Sequence, residues 1–371
     1  MTSLGDWMRL ENEEDVPSPA LVLHWERVEE NLRRMITISG DPARLRPHIK
    51  TQKLPQIVAR QVALGITKCK CATIAEAEMS ATAGATDVLL SLQPVGPNVG
   101  RFLQLVLAFP QTHFSAVVDA VEPLVELSRA AIATGSLVDV LLDLDVGQAR
   151  TGITIGPTAV ALYRQMNLLP GIQPGGLHIY DGHLHQPDLA ERTAACQQAF
   201  APVARLREEL LAGGLSVARV VVGGTPTFPI HAQRADVECS PGTCVLWDAG
   251  YAANLPDLDF LPAATLLTRV VSRPGQYRLC LDLGHKAVAS EMPQPRVIFP
   301  ALPAARVVAH NEEHLVLETE HAADFPPGTV LRGIPWHICP TVALYSEVHV
   351  VTGERFTDIW PVVGRTRRIT I

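Results

Sequence analysis

The feature that most constrains this chain is an alternation of short apolar runs with helix-length amphipathic segments over its first two thirds. A short apolar strand at 20–23 leads into a helix at 25–38. Extended runs then fall at 45–49, 69–72, 87–91, 113–118, 137–144, 175–180, 219–223 and 237–240. Between them the apolar spacing predicts helices near 54–64, 74–83, 98–108, 121–133, 156–168 and 188–212. Strands that alternate with helices of this length pair in parallel, because each crossover helix returns the chain to the same end of the sheet. Eight such strands match the (β/α)8 barrel. An open doubly wound sheet is the alternative, but no Gly-x-Gly-x-x-Gly turn follows an early strand.

Near Leu255 the texture changes. Prolines and aspartates mark a break, after which short strand-like runs at 265–271, 276–283, 306–309, 314–319, 329–331, 347–351 and 356–363 are separated by Gly, Pro or charged turns. The expectation is a barrel over 16–255 followed by an all-β domain over 256–371, which residues 1–15 could join. A chain of 371 residues exceeds one ordinary core, and 47% hydrophobic against 19% charged residues gives a large buried interior. A net charge of -7 with interspersed signs points away from nucleic acid. No apolar run reaches the roughly 18–20 residues that cross a bilayer, so no membrane association is expected. The first fifteen residues lack the apolar core of a signal peptide, and seven scattered cysteines do not suggest a disulfide framework. These features predict a reduced, cytoplasmic protein.

In such a barrel, functional groups gather where strands end. Lys50 follows the 45–49 run in Arg46-Pro47-His48-Ile49-Lys50-Thr51-Gln52-Lys53, where partial desolvation would make its amine a nucleophile toward carbonyls. A solvated strand-end lysine is the structural alternative. Asp145-Val146-Gly147-Gln148-Ala149-Arg150 follows the fifth run, and Tyr180-Asp181-Gly182-His183-Leu184-His185 the sixth. The seventh ends in Gly223-Gly224-Thr225-Pro226-Thr227 and the eighth in Ser240-Pro241-Gly242-Thr243. Loops after the last two strands of this fold recurrently bind phosphate through backbone N–H groups, and Thr225, Thr227, Ser240 and Thr243 could add hydroxyls. A phosphate site facing an amine suggests pyridoxal phosphate condensed with Lys50 as a Schiff base. Arg150 could face its ring nitrogen, or pair with Asp143 or Asp145.

Trp336-His337-Ile338-Cys339-Pro340-Thr341 is a second constellation. In an extended segment His337 and Cys339 share a face, as a divalent metal of the zinc or manganese type would require. Core packing is the alternative. His183 or His185 could serve as a general base or complete the metal shell. Cys69 with Cys71, and His310 with His314, resemble metal spacings but read as packing and a surface turn.

These motifs, in this order over residues 46–341, resemble fold-type III pyridoxal phosphate enzymes related to alanine racemase, within them the D-threonine aldolase and D-serine dehydratase family. The pieces that carry the likeness are the lysine motif, Asp145 to Gly152, Gly223 to Thr227, Pro241-Gly242-Thr243 and His337-Ile338-Cys339-Pro340-Thr341. Gln52 stands where many members have histidine, and Cys244 where a tyrosine often follows. The resemblance implies a cofactor on Lys50, lined by His48, Arg150, Tyr180, Gly223, Gly224, Thr225, Gly242 and Thr243. It also implies a divalent metal (Mn, Zn or Mg) at His337 and Cys339, and a homodimer. The implied substrate is a D-3-hydroxy-amino acid, cleaved to glycine and an aldehyde with His185, or His183, as base. Dehydration to a keto acid and ammonia is the close alternative. A non-catalytic cofactor-binding protein and a racemase are further alternatives, disfavoured because neither needs the metal.

Overall fold

The computed structural model describes residues 6–371. Its strands are β1 (Ala20–His24), β2 (Lys68–Cys71), β3 (Asp87–Leu90), β4 (His113–Val118), β5 (Val138–Asp145), β6 (Ile153–Thr154), β7 (Ile172–Ile179), β8 (Arg219–Val222) and β9 (Glu238–Cys239). After these come β10 (Ala264–Ser272), β11 (Arg278–Leu281), β12 (Val297–Ile298), β13 (Arg306–His310), β14 (Leu315–Glu318), β15 (Val330–Pro335), β16 (Glu347–Thr352) and β17 (Arg355–Pro361). The helices are α1 (Trp25–Ser39), α2 (Pro55–Ala63), α3 (Ile74–Thr82), α4 (Pro97–Ala108), α5 (Val121–Thr134), α6 (Pro157–Leu168), α7 (Leu189–Ala212), α8 (Phe228–Ala232), α9 (Ala249–Asn254) and α10 (Ile338–Leu344).

Two compact units emerge. One holds Met35–Lys50, Pro55–Gly242 and Thr366–Ile371; the other holds the described residues up to Arg34, with Thr51–Leu54 and Thr243–Arg365. This division lies thirteen residues before the expected break at 255/256, and it also moves the start of the chain across. The reason is pairing: β1 joins β10 antiparallel and β16 parallel, in the second unit. An apolar strand followed by an amphipathic helix looks like one more βα step, and sequence alone does not say which sheet will take the strand. Leu10 and Val16 pack with Ala20, Val22, Leu267 and Val351, all residues of this second unit. Met1–Gly5 lie outside the described residues.

In the barrel unit seven strands pair in parallel in the order β2-β3-β4-β5-β7-β8-β9. Residues 45–49, expected as a full strand, form only single parallel bridges, Leu45 to Cys239 of β9 and His48 to Lys70 of β2. Pro47 contributes no N–H there, which limits the ladder. The four hydrogen bonds of this seam run from Arg46 N–H to Cys239 O, His48 N–H to Pro241 O, Ile49 N–H to Lys70 O, and Lys70 N–H to Pro47 O, all 2.8–2.9 Å. They nonetheless close the ring, and the barrel expected from the alternation is present.

Its interior is layered. An apolar layer of Leu89, Val117, Leu141 and Val221, one from each of β3, β4, β5 and β8, is almost completely buried; truncating Leu141 to alanine would cost about 2–5 kcal/mol. At the amino-terminal ends of the strands lies an ionic layer. Arg46 is fully buried and pairs with Asp87 at 2.8 Å and Glu238 at 2.7 Å, while Arg219 reaches Asp139 at 2.7 Å. Toward the carboxyl ends come Lys70, Asp143 and His178, polar and buried. Charged groups are affordable inside the barrel because each has a neighbour of suitable sign or a hydrogen-bond partner.

Candidate active site

Tyr180, just past β7, organises the carboxyl end of the barrel. Lys50 Nζ and Lys70 Nζ each lie 5.7 Å from its ring centroid, and Arg150 Cζ lies 4.8 Å from it. A Cβ on Gly182 would meet the Tyr180 hydroxyl at 2.1 Å, and one on Gly224 would meet Cε2 at 3.1 Å. Glycine at both positions makes room for the ring to lie between the two turns. The structure therefore gathers Lys50, Arg150, Tyr180 and Gly224 as the sequence predicts. His48, also buried, accepts from the Lys50 N–H through Nδ1 at 3.3 Å and lies 3.5 Å from Ser91 Oγ through Nε2.

The turns after β8 and β9 are glycine-rich and tightly braced. Gly223 has φ +80°, a conformation that favours glycine. The Gly224 N–H points to Thr227 Oγ1 at 3.4 Å, and the Gly242 N–H to Thr225 Oγ1 at 3.2 Å. Of the four hydroxyls expected as phosphate donors, two are committed to the frame. Thr227 donates to Asp181 at 2.8 Å and Ser240 donates to the Arg46 carbonyl at 2.8 Å. Asp181 also meets His231 Nε2 at 2.8 Å, and Cys196 Sγ lies 3.4 Å from that nitrogen. This buried carboxylate–imidazole–thiol cluster is close enough to share a metal ion, yet its mutual hydrogen bonds already brace the Gly223 turn from below. Its members stand far apart in sequence, so no spacing announced it.

Behind the Tyr180 ring lies a second group that sequence reading missed. Lys70 reaches His178 Nε2 at 3.5 Å, and His178 Nδ1 meets Asp143 Oδ1 at 2.6 Å. Burial first, then the charge of Lys50, pull the Lys70 amine down to about 7 against the opposing pull of Asp143 and Asp181. Burial works against the Asp143 carboxylate, but His178 beside it, through the hydrogen bond from Nδ1, holds it below the usual range. Lys70 stands between Cys69 and Cys71 in β2. Its inward direction follows from strand alternation with those cysteines, and that was the available signal.

The two candidate histidines differ. His183 is half-buried, its Nε2 3.2 Å from where a Gly147 Cβ would stand, and its Nδ1 has no hydrogen-bond partner. His185 is exposed.

In the β unit, His337 and Cys339 do not share an extended segment. β15 ends at Pro335 and α10 begins at Ile338, with His337 as its N-cap residue. Asp248 draws the helix start into place by accepting the Ile338 N–H at 3.1 Å, and Thr341 donates to the His337 carbonyl at 2.8 Å. The turn still lets the imidazole and thiol interact. Burial opposes charge on His337, but Cys339 and the Glu291 carboxylate, 2.5 Å from Nδ1, raise it to about 9. Cys339 Sγ also lies 3.2 Å from Thr51 Oγ1 and 3.4 Å from Thr243 Oγ1. Gln52, the departure at the lysine motif, is fully buried, and neither atom of its amide has a hydrogen-bond partner.

Known proteins share this layout. Residues 23–248 match the family described as "Alanine racemase, N-terminal domain", and residues 263–351 the one described as "Putative serine dehydratase domain". D-threonine aldolase from Arthrobacter sp. is 33% identical over 94% of this chain and 93% of its own. The chain belongs to the D-threonine aldolase family. The crystal structure of D-threonine aldolase from Filomicrobium marinum superposes with a TM-score of 0.87 at 31% identity, covering 95% of this chain and 96% of that one. D-threo-3-hydroxyaspartate dehydratase from Delftia sp. HT23 superposes with a TM-score of 0.82 at 25% identity, covering 93% and 97%. Family members thus include both an aldolase and a dehydratase.

Proposed function

We propose that this chain is a pyridoxal phosphate- and divalent-metal-dependent lyase acting on D-3-hydroxy-amino acids, cleaving the Cα–Cβ bond to glycine and an aldehyde. The observation that carries this reading is the placing of the Lys50 amine and the Arg150 guanidinium around one aromatic ring, beside glycine turns. These residues fit the cofactor: an amine to hold its aldehyde, cations for an anionic ligand, and turns where the absence of a Cβ leaves room. Lys50 would hold it, with His48, Arg150, Tyr180, Gly223, Gly224, Thr225, Gly242 and Thr243 around it. The cofactor supplies an electron sink and the metal supplies Lewis-acid charge for a hydroxyl. His337 and Cys339 would hold a metal, and imidazole with thiolate fits zinc better than manganese or magnesium.

What the chain's own groups do follows from their surroundings. Tyr180 offers a flat apolar face, and Arg150 beside it discourages protonation of a ring nitrogen. His183 or His185 takes the proton of the substrate hydroxyl. His183 is favoured, because its free Nδ1 and half-buried ring suit a base that must be positioned, whereas His185 lies in solvent. Seven free cysteines support a reduced, cytoplasmic setting. Among the described residues no helix is long and apolar enough to cross a membrane. The resemblance supports a homodimer.

The test is incubation of the protein with D-threonine and with D-serine, plus cofactor, with and without manganese or zinc. Acetaldehyde with glycine is the expected outcome. Keto acid with ammonia would make the chain a dehydratase, and no turnover of either by metal-loaded protein would sink the lyase reading.

A further inference from the structure

The assigned roles leave unused the most unusual group in the barrel. Lys70 is 1% exposed, and among the described residues its amine has one hydrogen-bonding neighbour, His178 Nε2, where an ammonium would present three donors. An ammonium so placed is poorly solvated and poorly paired, so the site favours the neutral amine. The groups whose charge reaches it are Lys50 and Arg46 from the closing segment, Asp143 from β5 and Asp181 after β7. Two are cations and two are carboxylates, so they pull in opposite directions, and burial is the largest influence.

His178 is poised to register a proton on Lys70. Its Nδ1–H donates to Asp143, which leaves Nε2 as an acceptor facing the lysine. The amine can therefore donate to Nε2 in either protonation state, and an ammonium formed there would gain the Asp143 charge behind the imidazole. Lys70 and Lys50 approach one Tyr180 ring at equal distance.

We propose that Lys70 is a positioning residue for Lys50: it accepts the proton that the Lys50 ammonium must release before its amine can attack a carbonyl. The step balances. One proton leaves Lys50 Nζ and is held on Lys70 Nζ, stabilised through His178 by Asp143. The freed Lys50 lone pair forms the C=N bond as the carbonyl oxygen leaves as water. The proposal rests on the reading of Lys50 as the lysine that condenses with the cofactor.

The experiment uses the full chain freed of cofactor. Pyridoxal phosphate is added at pH values from 6 to 9, and the rate of appearance of the visible absorbance is followed in wild type, Lys70→Met and Lys70→Arg. Borohydride reduction and peptide mapping then locate the label. In wild type the label is expected on Lys50, with a rate that rises to a plateau above about pH 7. Both variants should lose that break and react on the order of tenfold more slowly at pH 7.5. Arginine decides between roles, because it keeps the charge and the hydrogen bond to His178 but cannot accept a proton. If Lys70→Met does not fold, the comparison of wild type with Lys70→Arg stands alone. Label on Lys50 with the wild-type profile kept in Lys70→Arg overturns the Lys70 role and leaves the cofactor reading intact. Absence of label from Lys50 in wild type overturns both.

Discussion

Asp143 and His178 meet across adjacent parallel strands, with Oδ1 2.6 Å from Nδ1 in a buried layer of the barrel. The register of β5 against β7 sets them opposite one another, so the pair is a product of strand alignment rather than of flexible reach. Removing the carboxylate leaves a buried imidazole without its acceptor. Asp143→Ala should cost about 1–3 kcal/mol in urea unfolding. A loss below about 1 kcal/mol would show that the pair is no more than a surface-like contact.

Lys50→Ala should abolish the visible absorbance of bound pyridoxal phosphate together with lyase activity. Its side chain is half-buried and holds no ion pair among the described residues, so the melting temperature of the cofactor-free protein should stay close to wild type. Colour that survives the substitution would remove Lys50 from the centre of the site.

Metal removal separates two functions. Dialysis against a chelator, or either His337→Ala or Cys339→Ala, should eliminate turnover while leaving the bound-cofactor absorbance unchanged. Metal content by emission spectroscopy should fall in both variants. Should turnover survive in chelated protein, the metal has no part in the reaction.

The Tyr180 ring depends on the glycine beneath it. Gly182→Ala places a Cβ 2.1 Å from the hydroxyl, 2.2 Å from Cζ and 2.6 Å from Cε1, so the Tyr180 ring as a whole must turn aside. The expected result is a folded protein whose cofactor affinity drops on the order of tenfold, since about 1.4 kcal/mol of lost contact is enough. Unchanged affinity by equilibrium dialysis would mean the ring does not contact the ligand.

A pH effect on stability should come from the ionic layer. Hydrogen bonds from His113 to Asp139 and Asp87 outweigh burial and raise the imidazole to about 9. A histidine raised above its unfolded value of about 6.5 contributes stability that is complete below that value and lost as pH rises through about 9. The difference in stability between wild type and His113→Gln should therefore shrink between pH 6.5 and 9. A constant difference across that window would contradict the pairing.

Much of this was legible in the residues. The helices α1 to α7 lie within a residue or two of where the sequence placed them, mostly because one-sided burial leaves its period; α3 is buried nearly all round and is marked instead by its Thr73 cap. Lys50, Arg150 and Tyr180 were found because strand ends in a barrel point to one place. The partner sheet of β1 was not legible, since pairing between residues as distant as Leu21 and Leu266 leaves no local trace. Nor was α10, whose start Asp248 fixes by accepting the Ile338 N–H, while the Gly250 N–H holds the carbonyl of the preceding Trp336. The Asp143–His178–Lys70 chain was hidden for the same reason: three strands contribute one residue each.

The seam at residues 45–49 gives the barrel a property that a uniformly laddered ring would lack. Lys50 leaves the very stave that finishes the circle, and only β9 separates that stave from β8 and its glycine turn. A molecule tied at one end to Lys50 and at the other to the turn after β8 would bridge the weakest join in the wall. Losing it would leave two strand edges held together by a few backbone bonds, and such edges invite pairing with other chains. Loading the site and fastening the barrel then become a single event.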